Sequence, residues 1–128
     1  MKALSIREPW GWLIASGHKN IENRSWKTNH RGIFLIHETK TTRKDHAAAV
    51  DFVRRFNPEL AEKIPPFKPH RGGAIIGSAE LVDCMSWQED PPKPWYMGAE
   101  WAFRIANARL HEKSTPMAGA LRFWDIMW

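Results

Sequence analysis

The sequence has few of the features that mark secreted or membrane proteins. Its 128 residues include a single cysteine, Cys84, which excludes an internal disulfide and fits a reducing compartment. No apolar run approaches the roughly 20 residues that cross a bilayer, so we expect no membrane partner. Residues 1–6 lack the long apolar segment and cleavage site of a signal peptide and read as a short strand. These absences predict a cytoplasmic protein.

Motifs for metals and phosphates are missing as well. The six histidines and the one cysteine show none of the H-x-H, H-x-x-x-H or C-x-x-C spacings typical of metal sites. The sequence also lacks a glycine-rich phosphate loop. We therefore expect neither a bound metal nor a cofactor.

The sequence does have enough apolar residues for a core, and its charge is unevenly placed. Hydrophobic residues make up 43% of the chain, which predicts one compact domain over residues 1–128, and we expect a monomer. Residues 1–44 hold nine Lys or Arg and three Glu, a net charge of +6, whereas the remainder nets −1. A positive excess confined to one third of the chain favours a polyanionic or phosphate-bearing partner.

Hydrophobic periodicity and turn residues predict short strands and two early helices. Trp10, Leu13, Ile14 and Gly17 form one helical stripe after Pro9, and Gly17 is suited to end the helix. Thr42 and Asn57 are predicted to cap a second helix and a further short turn. The predicted strands are residues 2–6, 19–26, 32–36, 73–84 with a bend or bulge at Gly77, 101–105 and 121–126. This pattern predicts an α+β domain around a small curled sheet.

The predicted strand after the first helix carries an unusual amount of charge. Residues two apart share a face of a strand, so Glu22, Arg24 and Trp26 are expected on one face and Ile21 on the other. An isolated Glu-x-Arg pair is typical of a structural ion pair. The alternative is a ligand site, in which Glu22 accepts from the amino edge of a base or acts as a general base and Arg24 binds phosphate or a base carbonyl.

Four stretches of the sequence resemble the ASCH domain family of the PUA-like superfamily. They are LSIREPWGWLIASGHKNIENRSW, RGIFLIHETK, GGAIIGSAELVDC, and PWYMG with Trp101 after it. The most specific piece is a G-x-K-x-x-E-x-R pattern, formed by Gly17, Lys19, Glu22 and Arg24. The resemblance implies a small mixed β-barrel with flanking helices and a cleft, beside the first helix, into which the lysine and the Glu-x-Arg pair project.

The resemblance also implies a class of ligand. Proteins of this fold bind RNA or modified bases, so the expected partner is RNA, single-stranded nucleic acid or a modified nucleoside. Further candidate ligand-binding residues are Arg7 and Trp10 at the start of the first helix, Trp26 for base stacking, and His37 and Lys40 after the third strand. Trp10 is equally well explained as a core residue of its helix, and a dipole role at the helix end also accounts for Lys19.

Enzymes within the family leave a second function open. Some members are ribonucleases, and Lys19, Glu22 and His37 are the candidate catalytic residues, with Lys19 and His37 as an acid and base pair. Others are amidohydrolases acting on N4-acetylcytidine, in which a threonine nucleophile stands where this chain has Glu22. A carboxylate does not replace a hydroxyl nucleophile cleanly, which argues against deacetylation. A third alternative is a protein-interaction domain with exposed tryptophans as anchors.

Overall fold

Six strands and three helices make up the part of the chain that the computed structural model describes, residues 1–69 and 73–128. The strands are β1 (Lys2–Arg7), β2 (Ile21–Arg24), β3 (Gly32–Thr39), β4 (Ala74–Ser86), β5 (Trp101–Pro116) and β6 (Phe123–Asp125). The helices are α1 (Trp10–Ala15), α2 (Arg43–Arg54) and α3 (Pro58–Lys63), and a 3₁₀ turn spans Trp87–Glu89.

The strands form one sheet that curls into a half-barrel, so the predicted α+β class is confirmed. Their order is β2-β5-β4-β3-β1-β6, and β1 pairs with β3 in parallel while the other pairs are antiparallel. The parallel pair is possible because α1 and β2 intervene between the two strands along the chain. This arrangement places β1 and β2 on opposite sides of the opening beside α1.

Side chains from the two faces of the sheet enter different cores. Leu4, Ile6, Phe34 and Ile36 pack inside the half-barrel, whereas Ala3 and Leu35 pack on its other face. The alternation follows from the period of two along a strand, and the register pairs Leu4 with Ile36 and Ala3 with Leu35. The helices form a third cluster with β2 and β5 around Leu13, Ile21, Val53, Leu60 and Ala102. Ile21 is therefore directed away from the charged face of β2, as predicted.

The predicted helix boundaries are confirmed by local hydrogen bonds. The Thr42 side chain accepts from the Asp45 N–H at 3.0 Å, and the Asn57 side chain accepts from the Leu60 N–H at 3.1 Å. Each cap supplies a partner for an N–H that has none within the helix. Gly17 ends α1 with a φ of +85°, a conformation that costs glycine little.

Gly77 lies at the predicted irregularity of the long β4 strand. The register of β4 shifts between Ile75 and Gly77 against β5, and the paired region of β3 shifts at the same level. A Cβ at Gly77 would meet the backbone carbonyl oxygen of Arg109. Close approach of two backbones therefore requires glycine here.

Several predicted strand boundaries were wrong. The strand predicted over residues 19–26 is only Ile21–Arg24, and it begins late because the N–H groups of His18 and Lys19 still bond to the end of α1. The strand at residues 32–36 continues to Thr39, with Ile33 exposed, and the one at residues 101–105 continues to Pro116. Partners contributed by distant parts of the chain extend these strands beyond their apolar segments.

Candidate functional site

The turn after α1 directs Lys19 into the protein. Gly17 turns the chain, and the N–H groups of His18 and Lys19 both donate to the Leu13 carbonyl, at 3.0 and 2.9 Å. These bonds satisfy the end of the helix and fix the backbone of the loop. The Lys19 side chain consequently reaches under the cleft and is only 3% exposed.

Glu22 lies between two cations. Its Oε1 accepts from Lys19 Nζ at 3.1 Å, and its Oε2 accepts from Arg24 Nε at 3.0 Å and contacts Arg24 Nη2 at 2.8 Å. Arg24 Nη2 also donates to the Ser5 carbonyl of β1 at 2.6 Å. The structure thus brings Glu22 and Arg24 to one face, as predicted, and connects β2 to β1 through the guanidinium group.

Lys19 is held by the same network. Its Nζ also donates to the Ile21 carbonyl and lies 5.6 Å from the centroid of the Trp10 ring. Burial lowers the pKa of Lys19, and the neighbouring Glu22 carboxylate opposes that shift by favouring the charged amine. Lys19 therefore orients Glu22 and partly neutralises it inside the protein.

A cleft of about 540 Å³ lies above this ion-pair network. It is lined by six of the predicted ligand-binding residues, namely Arg7, Trp10, Lys19, Glu22, Arg24 and Trp26. The remaining lining residues are Ser5, Ile6, Asn23, Ser25, Thr39 and Met97. The charged groups are three cations and one carboxylate, so the cleft carries a net positive charge. Its volume falls in the range of small-molecule sites, about 300–1,000 Å³.

Trp26 forms a fixed wall of the cleft. Its ring packs edge-on against Phe103 and Phe123, with centroid distances of 5.2 and 5.9 Å. The guanidinium groups of Arg24 and Arg122 lie 5.9 and 5.1 Å from the ring centroid. Cation–π contacts of this kind hold an arginine in place over an aromatic face. Trp26 therefore also fixes the orientation of Arg24.

Asn23 and Met97 belong to the cleft but were not predicted. The Asn23 side chain donates to the Trp95 carbonyl at 3.0 Å and accepts from the Met97 N–H at 2.8 Å. Both ends of the amide thereby hold residues 95–97 against β2, which places Met97 at the cleft. The residues are more than 70 positions apart in the sequence, and no local pattern indicates such a contact.

His37 does not reach the cleft. It is 1% exposed, its Nε2 donates to the Met117 carbonyl at 2.6 Å, and its Nδ1 lies 3.0 Å from Ser5 Oγ. Because Ile36 faces the half-barrel core, His37 must face the opposite side of β3. The structure therefore does not bring together the predicted acid and base pair of Lys19 and His37.

The end of β3 contributes to the site through residues other than Lys40. Lys40 is exposed and lies outside the residues that line the cleft, whereas its neighbour Thr39 is among them. Glu38 is buried, and its carboxylate accepts from the Trp12 N–H in the first turn of α1 at 2.6 Å. A carboxylate at a helix N-terminus is favourable, so Glu38 fixes α1 against the sheet. Sequence reasoning missed this role.

Comparison with known protein families matches residues 4–113 to the ASCH domain. The chain belongs to the ASCH domain family. The curled mixed sheet with its helices is the PUA-like fold that membership implies, so this part of the prediction is confirmed. The three charged residues of the G-x-K-x-x-E-x-R pattern in this ASCH domain, Lys19, Glu22 and Arg24, build the ion-pair network under the cleft.

Two curated relatives contain a similar ASCH domain. The chain is 32% identical over 128 residues to the human protein named activating signal cointegrator 1, and 31% identical to the mouse protein of that name. In both cases the match covers 96% of this chain and 22% of the relative. The chain therefore spans about a fifth of the length of these curated relatives.

Within residues 1–69 and 73–128, no three His, Cys, Asp or Glu side chains are grouped so as to hold a metal ion. None of the helices in these ranges is both long and apolar enough to cross a bilayer.

Proposed function

We propose that the cleft of this ASCH domain binds one base of an RNA strand or a modified nucleoside. The observation that carries the proposal is the ion-pair network at its floor, in which Glu22 is fixed by Lys19 and Arg24 beneath an open cavity. A base edge offers both donors and acceptors. A fixed carboxylate and a fixed guanidinium group side by side complement such an edge.

The remaining hydrogen-bonding capacity of these groups supports the proposal. Each carboxylate oxygen has two acceptor sites, and an arginine has five N–H donors. The hydrogen bonds found among the described residues engage Nε and Nη2 of Arg24, which leaves the donors of Nη1 for a ligand. The Arg24 side chain is 21% exposed, so it is reachable from the cleft.

The rim of the cleft supports a ligand that carries phosphate. Arg7 lines the cleft, and its side chain is 69% exposed, so it is accessible to a phosphodiester group. The surrounding first third of the chain holds the whole positive excess of the protein. ASCH domains generally bind RNA, which agrees with this chemistry.

We also propose that the protein is located in the cytoplasm.

A titration with short single-stranded RNA tests the proposal. We expect saturable binding that weakens with salt. Replacing Arg7 by Ala should weaken binding and reduce the slope of log affinity against log salt by about one, because one phosphate contact is lost. Lys63→Ala is the matched control, since Lys63 is exposed on α3 and lies outside the lining of the cleft. Equal effects of the two variants, or no binding, would overturn the proposal.

A hydrolase is the second candidate function, and the lowered pKa of Lys19 at the cleft floor favours it. An amine with a lowered pKa has a larger unprotonated fraction near neutral pH, and only the unprotonated amine can accept a proton as a general base. Incubation with short RNA and with modified nucleosides, including N4-acetylcytidine, tests this function by mass spectrometry. Products that disappear in the Lys19→Ala variant would establish an enzyme, whereas unchanged substrates would leave binding as the function.

A further inference from the structure

A second cavity adjoins the proposed base-binding cleft. Its volume is about 450 Å³, and it shares Arg7, Trp10 and Met97 with the first cavity. The two cavities are therefore adjacent, and we refer to them as the near and far chambers of one groove. The near chamber is defined by Glu22 and Arg24, and the far chamber is bounded on its outer side by α2.

One face of α2 builds the far chamber. Asp45, Ala48, Ala49 and Phe52 recur at the three- and four-residue spacing of a helix face, and Arg55 follows at the C-cap. The small side chains of Ala48 and Ala49 leave room beside the helix. The ring of Phe52 lies 6.0 Å from that of Trp10 at an interplanar angle of 69°, so the two rings meet edge-to-face where the chambers join.

The charges in the far chamber suit a phosphodiester chain. Arg7 contacts Asp45 at 3.6 Å, but both side chains are more than half exposed, and exposed pairs of this kind contribute little to stability. A phosphate group would therefore displace Asp45 from Arg7 at little cost. Arg55 is exposed and forms no salt bridge with the acidic side chains of the described residues.

We propose that the groove binds a single-stranded RNA segment of at least two nucleotides rather than a free nucleoside. One base occupies the near chamber, and the next nucleotide lies in the far chamber against Phe52. Arg7 contacts the phosphodiester between them, and Arg55 contacts a phosphate beyond. This inference rests on the proposed function of the near chamber, and aromatic rings beside a basic groove are a recurrent means of holding single strands.

The test compares two probes and two neighbouring variants. The probes are an equimolar mixture of the four ribonucleoside 5′-monophosphates and a random-sequence RNA hexamer, titrated at the same ionic strength. The variants are Arg55→Ala and Arg54→Ala. Arg54 is the matched control because it precedes Arg55 in the chain, bonds to Asp51 at 2.6 Å and lies outside the lining of the groove.

We expect the hexamer to bind more tightly than the monophosphates. Arg55→Ala should lower hexamer affinity by about three- to ten-fold and leave monophosphate affinity unchanged, whereas Arg54→Ala should change neither by more than about two-fold. Equal losses of hexamer affinity in the two variants would overturn the proposed role of the far chamber, because they would show a general effect of charge. A hexamer that binds no tighter than the monophosphates would overturn it while leaving the proposed function intact, and failure of both probes to bind would overturn both proposals.

Discussion

Two buried polar clusters lie on opposite faces of the same part of the sheet, and Ser5 belongs to both. Its carbonyl accepts from Arg24 at the cleft, and its hydroxyl lies 3.0 Å from His37 on the other face. Both clusters contain nearly buried ionisable groups within hydrogen-bond distance of partners. One alternative from the sequence joined them in a single site with His37 beside Lys19. In the described residues, the cleft is lined by Lys19, Glu22 and Arg24 and not by His37.

The difference between the clusters lies in what covers them. His37 is enclosed by residues 117–120, and a Cβ added to Gly73 or Gly119 would lie within 2.8 Å of its ring. Because a carbonyl only accepts, His37 Nε2 is bound as a donor to Met117, and Ser5 Oγ is the partner for Nδ1. Its hydrogen bonds are thus satisfied internally. Burial of a polar group therefore does not by itself identify a binding site. A binding site also needs hydrogen-bonding groups that a ligand can reach.

Removal of the central carboxylate should have the largest effect on the cleft. Glu22→Ala leaves Lys19 buried without its counter-charge, so we expect a loss of about 3–5 kcal/mol in the free energy of unfolding, together with loss of RNA binding. Urea denaturation measures the free energy of unfolding, and titration with RNA measures the binding. The Glu22→Ala and Lys19→Met double variant should recover part of the stability, because it also removes the uncompensated charge. A loss below about 1 kcal/mol would indicate a solvated, weak ion pair.

Removal of His37 should destabilise the protein without affecting the cleft. His37→Ala deletes a buried ring and leaves the Met117 carbonyl without its donor, so we expect a loss of about 2–4 kcal/mol in the free energy of unfolding. RNA affinity, measured where both proteins are folded, should stay within about two-fold of the wild type, since His37 does not line the cleft. A larger loss of affinity at full folding would show that the two clusters act together through Ser5.

The smallest expected effect is the pH dependence contributed by Lys19. Its pKa is lowered in the folded state from the ordinary value of 10.5. Between the folded and unfolded pKa values, the unfolded chain binds more protons, so the stability contributed by Lys19 rises with pH in that window. We expect the stability of the wild type to increase relative to Lys19→Met from pH 7 to pH 10.5. Denaturation of both proteins across that range measures the difference, and a constant or falling difference contradicts the lowered pKa.

Local features of the fold were predictable because their causes are local. The caps at Thr42 and Asn57 and the end of α1 at Gly17 depend on residues close in sequence. The shared face of Glu22 and Arg24 follows from the period of a strand. By contrast, the position of His37 depended on where β3 ends, which extended pairing with β1 decided.

The sequence by itself determined the helix caps, the shared face of Glu22 and Arg24, and the basic character of the first third of the chain. The alternation of a strand, the capping of a helix and the local net charge depend on residues close in sequence. They can therefore be predicted from the sequence. Only the tertiary structure decided that Met97 and Phe52 join this groove and that His37 is enclosed on the far face. Those outcomes depend on pairing between segments distant in sequence, where side-chain packing and hydrogen bonding select the contacts.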